Sequence, residues 1–210
     1  MIIGLCGRIA AGKSKVAELM REHLGFVEVD VARPIRQSLL GLDPMIPIMD
    51  GQGGWSEPQP LSVLVEKYGW DRAKQSPSVR RLLQRFGFDC VRDHLDNRIW
   101  ERKALAAISS ATKEDRSQNV VISNLRGVDE RRLVEEVWLV ERDTPETQAI
   151  RAKLNMDHPT ESNDIDNYAT ELIINNGSIE ELLGTLKGCY ERSLARRDAD
   201  RETYGNKYRR

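Results

Sequence analysis

Apolar residues follow two alternating rhythms along this chain. Met1 to Cys6 is an unbroken apolar run rich in β-branched residues, which predicts a strand buried on both faces. From Lys13 the apolar positions Val16, Leu19, Met20 and Leu24 recur at helical spacing, so a helix is expected to end near Gly25. The exchange then repeats. Phe26 to Asp30, Asn119 to Ser123, Val137 to Glu141 and Thr170 to Ile174 read as further strands. Helices are expected over Ala32 to Leu40, Ser78 to Phe88, Asn97 to Ser110, Asp129 to Glu136, Thr144 to Leu154 and Ser178 to about Arg192. Ser178 and Glu181 have capping-box spacing at the start of the last one.

Two stretches lose the rhythm. Gly41 to Pro60 concentrates proline, glycine and aspartate without any period and reads as an irregular insertion. The tail after Arg192 is highly charged and is expected to fray. Strands alternating with helices imply a parallel sheet with right-handed crossovers, which brings every strand's C-terminal end to one edge. Ligands bind at that edge, where Cys6, Asp30, Ser123-Asn124 and Glu141-Arg142 are expected. The fold class is therefore α/β, a parallel five-stranded sheet flanked by helices in three layers. One domain over 1–192 would carry a mainly helical lobe inserted at about 41–112 and a lid at about 142–165, before the 193–210 tail.

Composition narrows the class. At 210 residues, with 40% hydrophobic and 31% charged residues, the chain suits one sizeable folded domain. A net charge of −1 gives no global reason to expect a nucleic acid, so local arginines must carry any anion binding. The three cysteines, Cys6, Cys90 and Cys189, lack C-x-x-C spacing, which speaks against zinc and a disulfide framework and for a reduced, cytoplasmic setting. No secretory signal and no run of membrane-spanning length is read, so no membrane partner is expected.

Between the first strand and the first helix lies Gly7-Arg8-Ile9-Ala10-Ala11-Gly12-Lys13-Ser14, with the spacing G-x-x-x-x-G-K-S. Glycines let backbone N–H groups turn inward around phosphate oxygens, and the helix N-terminus adds its positive dipole end. In this reading Gly7, Ala10, Ala11, Gly12, Lys13, Ser14 and Lys15 hold ATP, Lys13 reaches the β- and γ-phosphates, and the Ser14 hydroxyl takes Mg²⁺. A glycine turn with a chance lysine is the plainer alternative, but strand, loop and helix occur in the required order. Asn124 stands where a motor or switch would show an acid, which weakens those readings, and Asp30 could take over metal positioning.

A kinase for a phosphorylated acceptor needs a second anion site, and the planar fork of arginine suits it. Arg36, the cluster Arg80, Arg81 and Arg85, and Arg92 are candidates near the insertion; Arg126, Arg142 and Arg151 follow later strands. An acceptor phosphate is already ionised, so no strong general base is required. His23, His94 and His158 lack ligand spacing. Trp55, Trp70, Trp100 and Tyr68 could stack on a base or simply pack.

The segments MIIGLCGRIAAGKSK, VARPIR, RRLLQRFGFDCVRDHLDNRIW, VVISNLRGVDE, LVERDTPE, HPTES and IINNGSIEELL, in that order, resemble the deoxynucleoside monophosphate kinases of bacteriophages over nearly the whole chain. The resemblance implies a P-loop nucleoside-monophosphate-kinase fold, ATP and Mg²⁺, and a deoxynucleoside monophosphate acceptor. It further implies acceptor binding by Gln84 and Arg92, with Asp89 beside them, and matches Arg126 and Arg142 to arginines after two strands. His158 with Glu161 resembles an H-x-S-E element. The chain departs from the family pattern at Arg33, at Phe88-Asp89, and at Asn124, which replaces an aspartate.

The expectation is a kinase in which Lys13, Arg126, Arg142, Arg151 and Asp30 serve catalysis while Arg36, Arg81, Gln84, Asp89, Arg92 and Glu161 hold the acceptor. The expected partners are small nucleotides, and a homodimer is the assembly considered. Two rivals remain at this point: a kinase of the dephospho-coenzyme A or shikimate type, and a non-catalytic nucleotide-binding module.

Overall fold

In chain order the elements are β1 (Ile2–Cys6), α1 (Lys13–Leu24), β2 (Val27–Val29), α2 (Arg33–Leu42), β3 (Met45–Met49), β4 (Trp55–Pro60), α3 (Leu61–Ala73) and α4 (Pro77–Gln84). After a π-helical segment (Arg85–Arg92) come α5 (Ile99–Ala111), β5 (Val120–Ile122), a 3₁₀ turn (Val128–Leu133), β6 (Glu136–Glu141) and α6 (Pro145–Ala152). A second 3₁₀ turn (Asp164–Tyr168), β7 (Ala169–Ile174) and α7 (Ile179–Lys207) close the chain. This computed structural model describes residues 1–49, 55–152 and 164–207.

The five apolar runs pair into one parallel sheet in the order β2-β5-β1-β6-β7. β1 takes the centre, and Ile3, Leu5 and Cys6 are wholly inaccessible there, as a strand covered on both faces requires. Ile2 lies opposite Val120 and Ile3 opposite Glu136, so β5, β1 and β6 start nearly level and all three run toward the same edge.

One face packs Ile3, Leu5, Trp138 and Val140 against α1 and α7 through Val16, Met20, Leu182 and Leu186. The other packs Val29, Val120, Ile122 and Val137 against α5 and the 3₁₀ turns through Ala104, Ile108, Leu133 and Ile165. Each such aliphatic side chain contributes about 1.5–3 kcal/mol by leaving water. A third cluster, Leu39, Ile46, Leu61, Leu64, Ala73 and Val79, is the core of the lobe. It draws in Ile35 and Leu40 from α2 and ends at Phe86, while α5 packs on the sheet.

Four sequence expectations are corrected. The stretch 41–60 holds a strand pair: β3 and β4 run antiparallel, from Met45 opposite Pro60 to Met49 opposite Trp55. Its prolines are tolerated because each strand of a two-stranded ribbon has an edge that needs no ladder N–H. The helix expected over Asp129 to Glu136 is only a 3₁₀ turn, because Glu135 N–H donates to the Ile2 carbonyl at 2.8 Å and draws the chain into the sheet.

The helix expected over Ser78 to Phe88 is α4 followed by the π-helical segment. Within it the Gly87 carbonyl accepts the Trp100 indole N–H at 2.7 Å, a tertiary partner that no local pattern announces. Lastly, α7 continues past Arg192 to Lys207. Arg192 and Arg196 there pair with Glu171, Arg196 also with Glu136, and Ser193 is fully buried. Of the lid expected at about 142–165, residues 153–163 lie outside the described residues, and with them His158 and Glu161.

Candidate active site

The loop between β1 and α1 is shaped by three residues with left-handed backbones, Gly7 (φ 119°), Ala10 (φ 62°) and Gly12 (φ 94°). A Cβ on Gly7 would lie 2.2 Å from the Val140 carbonyl oxygen, and one on Gly12 would lie 2.1 Å from Asn175 Nδ2. Neither position admits a side chain without displacing its neighbour. The first turn of α1 carries no acid, so its positive end is not neutralised from within the helix.

Lys13 is 8% exposed and donates from Nζ to the carbonyls of Gly7 at 2.6 Å and Arg8 at 3.0 Å. Ser14 is exposed at the helix start. The Lys15 ammonium pairs with Glu18 at 2.6 Å, so its side chain lies along the helix. Burial pushes the Cys6 thiol well above its ordinary value, which makes it a packing group beneath the loop.

Two long-range contacts hold the loop from outside. Asn175 Nδ2 donates to the Ala11 carbonyl at 2.9 Å, and Arg151 Nε donates to the Ile9 carbonyl at 3.0 Å. In a trans peptide the following N–H points opposite to the carbonyl. Turning the Ile9 and Ala11 carbonyls toward these donors therefore turns the N–H groups of Ala10 and Gly12 the other way, as a phosphate cradle needs. A second Arg151 nitrogen donates to the Arg142 carbonyl at 2.8 Å, which ties α6 to the end of β6. The Arg142 side chain is exposed.

The opposite flank is β5 and β2. Strands lie about 4.8 Å apart, so groups after β5 stand one strand from the loop and groups after β2 stand two. Past β5, Arg126 Nε donates to Asn124 Oδ1 at 3.0 Å. Glu130 accepts the Arg126 N–H at 2.7 Å and the Gly127 N–H at 3.4 Å. Burial raises the Glu130 carboxyl above its ordinary value, opposed by those N–H groups and by the charges of Arg92 and Arg126. Arg92 pairs with Asp129 at 3.0 Å and lies over the Phe88 ring at 5.1 Å. The structure thus gathers Arg92 and Arg126 around one half-buried acid.

At the end of β2, Asp30 accepts the Ala32 N–H at 2.9 Å through one oxygen and pairs with Arg36 through the other. Arg36 also faces the Trp70 ring at 5.7 Å. Gln84, at the end of α4, and Asp89, on the π-helical segment, are half-buried, whereas Arg81 and Arg85 are exposed. A cavity of about 170 Å³ opens beside Arg92, lined also by Asn97, Trp100, Glu101 and Arg132. It is smaller than the roughly 300 Å³ of a small-molecule site, so by itself it does not house a nucleotide.

Sequence reasoning singles out neither Asn175 nor Glu130. The available signal for Asn175 was topological: a polar residue just past a strand, at the edge where ligands bind.

The family model for deoxynucleotide monophosphate kinase matches residues 65–186. A protein of Acanthamoeba polyphaga mimivirus, provisionally assigned as a deoxynucleotide monophosphate kinase, is 25% identical over 91% of this chain and 96% of its own length. Among solved structures, the dephospho-CoA kinase from Campylobacter jejuni is 16% identical over 91% of this chain and 96% of that one, with a TM-score of 0.45. The shikimate kinase from Aquifex aeolicus is 13% identical over 93% and 99%, with a TM-score of 0.47. Among the described residues no helix is long and apolar enough to cross a membrane.

Proposed function

This chain belongs to the deoxynucleotide monophosphate kinase family, a family of phosphotransferases with a phosphate group as acceptor, and from that premise we propose that it transfers the γ-phosphoryl group of ATP to a deoxynucleoside monophosphate. The products are ADP and the deoxynucleoside diphosphate. One observation carries this reading: the Gly7–Ser14 loop, which contains Lys13, lies next to β5, the strand that Arg126 follows, and Arg126 shares the Glu130 carboxyl with Arg92.

Donor binding falls to the amides of the loop and to Lys13, whose ammonium exchanges carbonyl partners for phosphate oxygens. The cradle fits a phosphate because its two glycines permit the left-handed turns, packed closely on Val140 and Asn175, that expose backbone N–H groups, and the exposed Ser14 hydroxyl is a hard oxygen ligand suited to Mg²⁺. Mg²⁺, when bound, neutralises charge between the phosphates. Arg92 and Arg126 orient the acceptor phosphate, with Arg36, Arg81, Gln84 and Asp89 along the same flank. Arg142 and Arg151 act from the lid side on the charge that builds during transfer. Asp30, held by Arg36, orients a substrate hydroxyl. No residue has to remove a proton, since the acceptor oxygen is already anionic.

A coupled assay for ADP with Mg²⁺-ATP and each of the four common deoxynucleoside monophosphates tests the proposal, with dephospho-coenzyme A as a further arm. Turnover with at least one monophosphate is expected. Folded protein that turns over none of them, or only dephospho-coenzyme A, overturns it.

A further inference from the structure

We propose that Asn124 is a positioning residue for the acceptor: it aims the Arg126 guanidinium through a neutral hydrogen bond, and so sets acceptor affinity rather than serving the metal. This rests on the kinase reading above.

Asn124 is half-buried just past β5, where the family resemblance places an aspartate. Its Oδ1 accepts from Arg126 Nε at 3.0 Å. That contact takes one of the five guanidinium N–H donors and fixes the plane of the fork. The main chain of the same arginine is held from the other side, where Glu130 accepts the N–H groups of Arg126 and Gly127. Leu125, between them, is 2% exposed and donates its N–H to the Leu5 carbonyl at 3.0 Å, so the segment is moored to β1 next to the loop. Arg126 is therefore fixed at backbone and at Nε.

Charge explains why an amide serves better here than an acid. Arg92 and Arg126 share their surroundings with the carboxylates of Asp129 and Glu130. An aspartate at 124 would add a further carboxylate to this group, facing an anionic substrate. The asparagine orients the fork with an uncharged acceptor and so adds no negative charge beside the phosphate. The Asn124 Oδ1, the oxygen that could ligate a metal, is instead engaged by Arg126.

Steady-state kinetics on the full chain separate the roles. Asn124→Ala should raise KM for the deoxynucleoside monophosphate by about tenfold, as loss of a charge-assisted hydrogen bond implies, with KM for ATP and the Mg²⁺ activation midpoint unchanged. The isosteric Asn124→Asp should raise the same KM at least as much and tests the idea should the alanine variant fold poorly. In an Arg126→Lys background, which lacks Nε in that geometry, Asn124→Ala should have no additional effect on acceptor KM. A shift in Mg²⁺ midpoint or ATP KM in place of acceptor KM, or full additivity with Arg126→Lys, overturns the inference while leaving the kinase reading intact. Wild-type protein inactive on every monophosphate overturns both.

Discussion

Asn175, just past β7, donates a 2.9 Å hydrogen bond to the carbonyl of Ala11, 164 residues earlier in the chain. It is 8% exposed, and its own N–H donates to the Glu141 carbonyl at 2.7 Å, so the side chain has a fixed base from which to hold the loop. Asn175→Ala removes the donor that turns the Ala11 carbonyl outward. ATP binding measured by calorimetry should weaken about tenfold, and the protein should lose about 1–2 kcal/mol of stability in a denaturant titration. Unchanged ATP affinity would show that the loop keeps its shape unaided.

Gly7→Ala sets a methyl group against the Val140 carbonyl, where the ideal Cβ lies at 2.2 Å, in a backbone conformation already at φ 119°. The clash is with main chain in the central sheet and has no flexible neighbour to absorb it. A loss of about 3 kcal/mol or more is expected, read as a lower midpoint of thermal or urea unfolding. A wild-type midpoint would contradict the close approach of β6 to the loop.

Lys13→Ala leaves the aliphatic packing of α1 in place and deletes the ammonium. Turnover should fall by about a hundredfold or more while the far-ultraviolet circular dichroism spectrum stays that of the wild type. Retained turnover would move the donor site elsewhere.

Arg151 links α6 to the loop through the Ile9 carbonyl, with its side chain 15% exposed. Arg151→Lys keeps the charge but not the forked contact with the carbonyls of Ile9 and Arg142. We expect kcat to fall about tenfold or more with KM for the acceptor little changed. An acceptor KM that rises while kcat holds would instead put Arg151 in acceptor binding.

A pH-dependent prediction concerns α7. Burial alone would push Glu136 and Glu171 up, but hydrogen bonds from Arg196 and Ser193 to the first, and from Arg192 and Arg196 to the second, bring both carboxyls below the ordinary glutamate value of 4.5. A carboxyl depressed in the folded state stabilises it at pH values above the unfolded value, and that stabilisation fades as pH falls through the folded value. Arg196→Ala should therefore lower stability by about 2 kcal/mol at pH 7, a figure reduced for the arginine's 41% exposure. The gap from wild type should close as pH drops below 4.5. Urea titrations of both proteins at pH 7 and at acid pH check this; a gap constant with pH would mean that the loss is one of packing.

Much of the fold is legible because its signals are short in range. An apolar run such as Ile2 to Cys6 marks a buried strand wherever it falls, and five strands joined mostly by helical crossovers leave few topologies. The glycine spacing of the loop and the Asp30–Arg36 pair, six residues apart, are likewise local. Prolines concealed the β3–β4 ribbon, since their effect depends on whether a strand's free edge faces a neighbour.

The sequence by itself determined the strand–loop–helix unit, the parallel sheet and the supply of arginines, since steric preference and hydrophobic period act within a few residues of chain. Only the tertiary structure decided who meets whom. The order β2-β5-β1-β6-β7 puts Arg126 beside the loop on one flank and brings Asn175 and Arg151 against it from the other, across 164 and 142 residues of sequence. It also anchors α7 through carboxylates of β6 and β7, where composition alone suggested a frayed tail. Such contacts depend on the strand order and on which side chains share an edge, and neither is written in any local stretch of the chain.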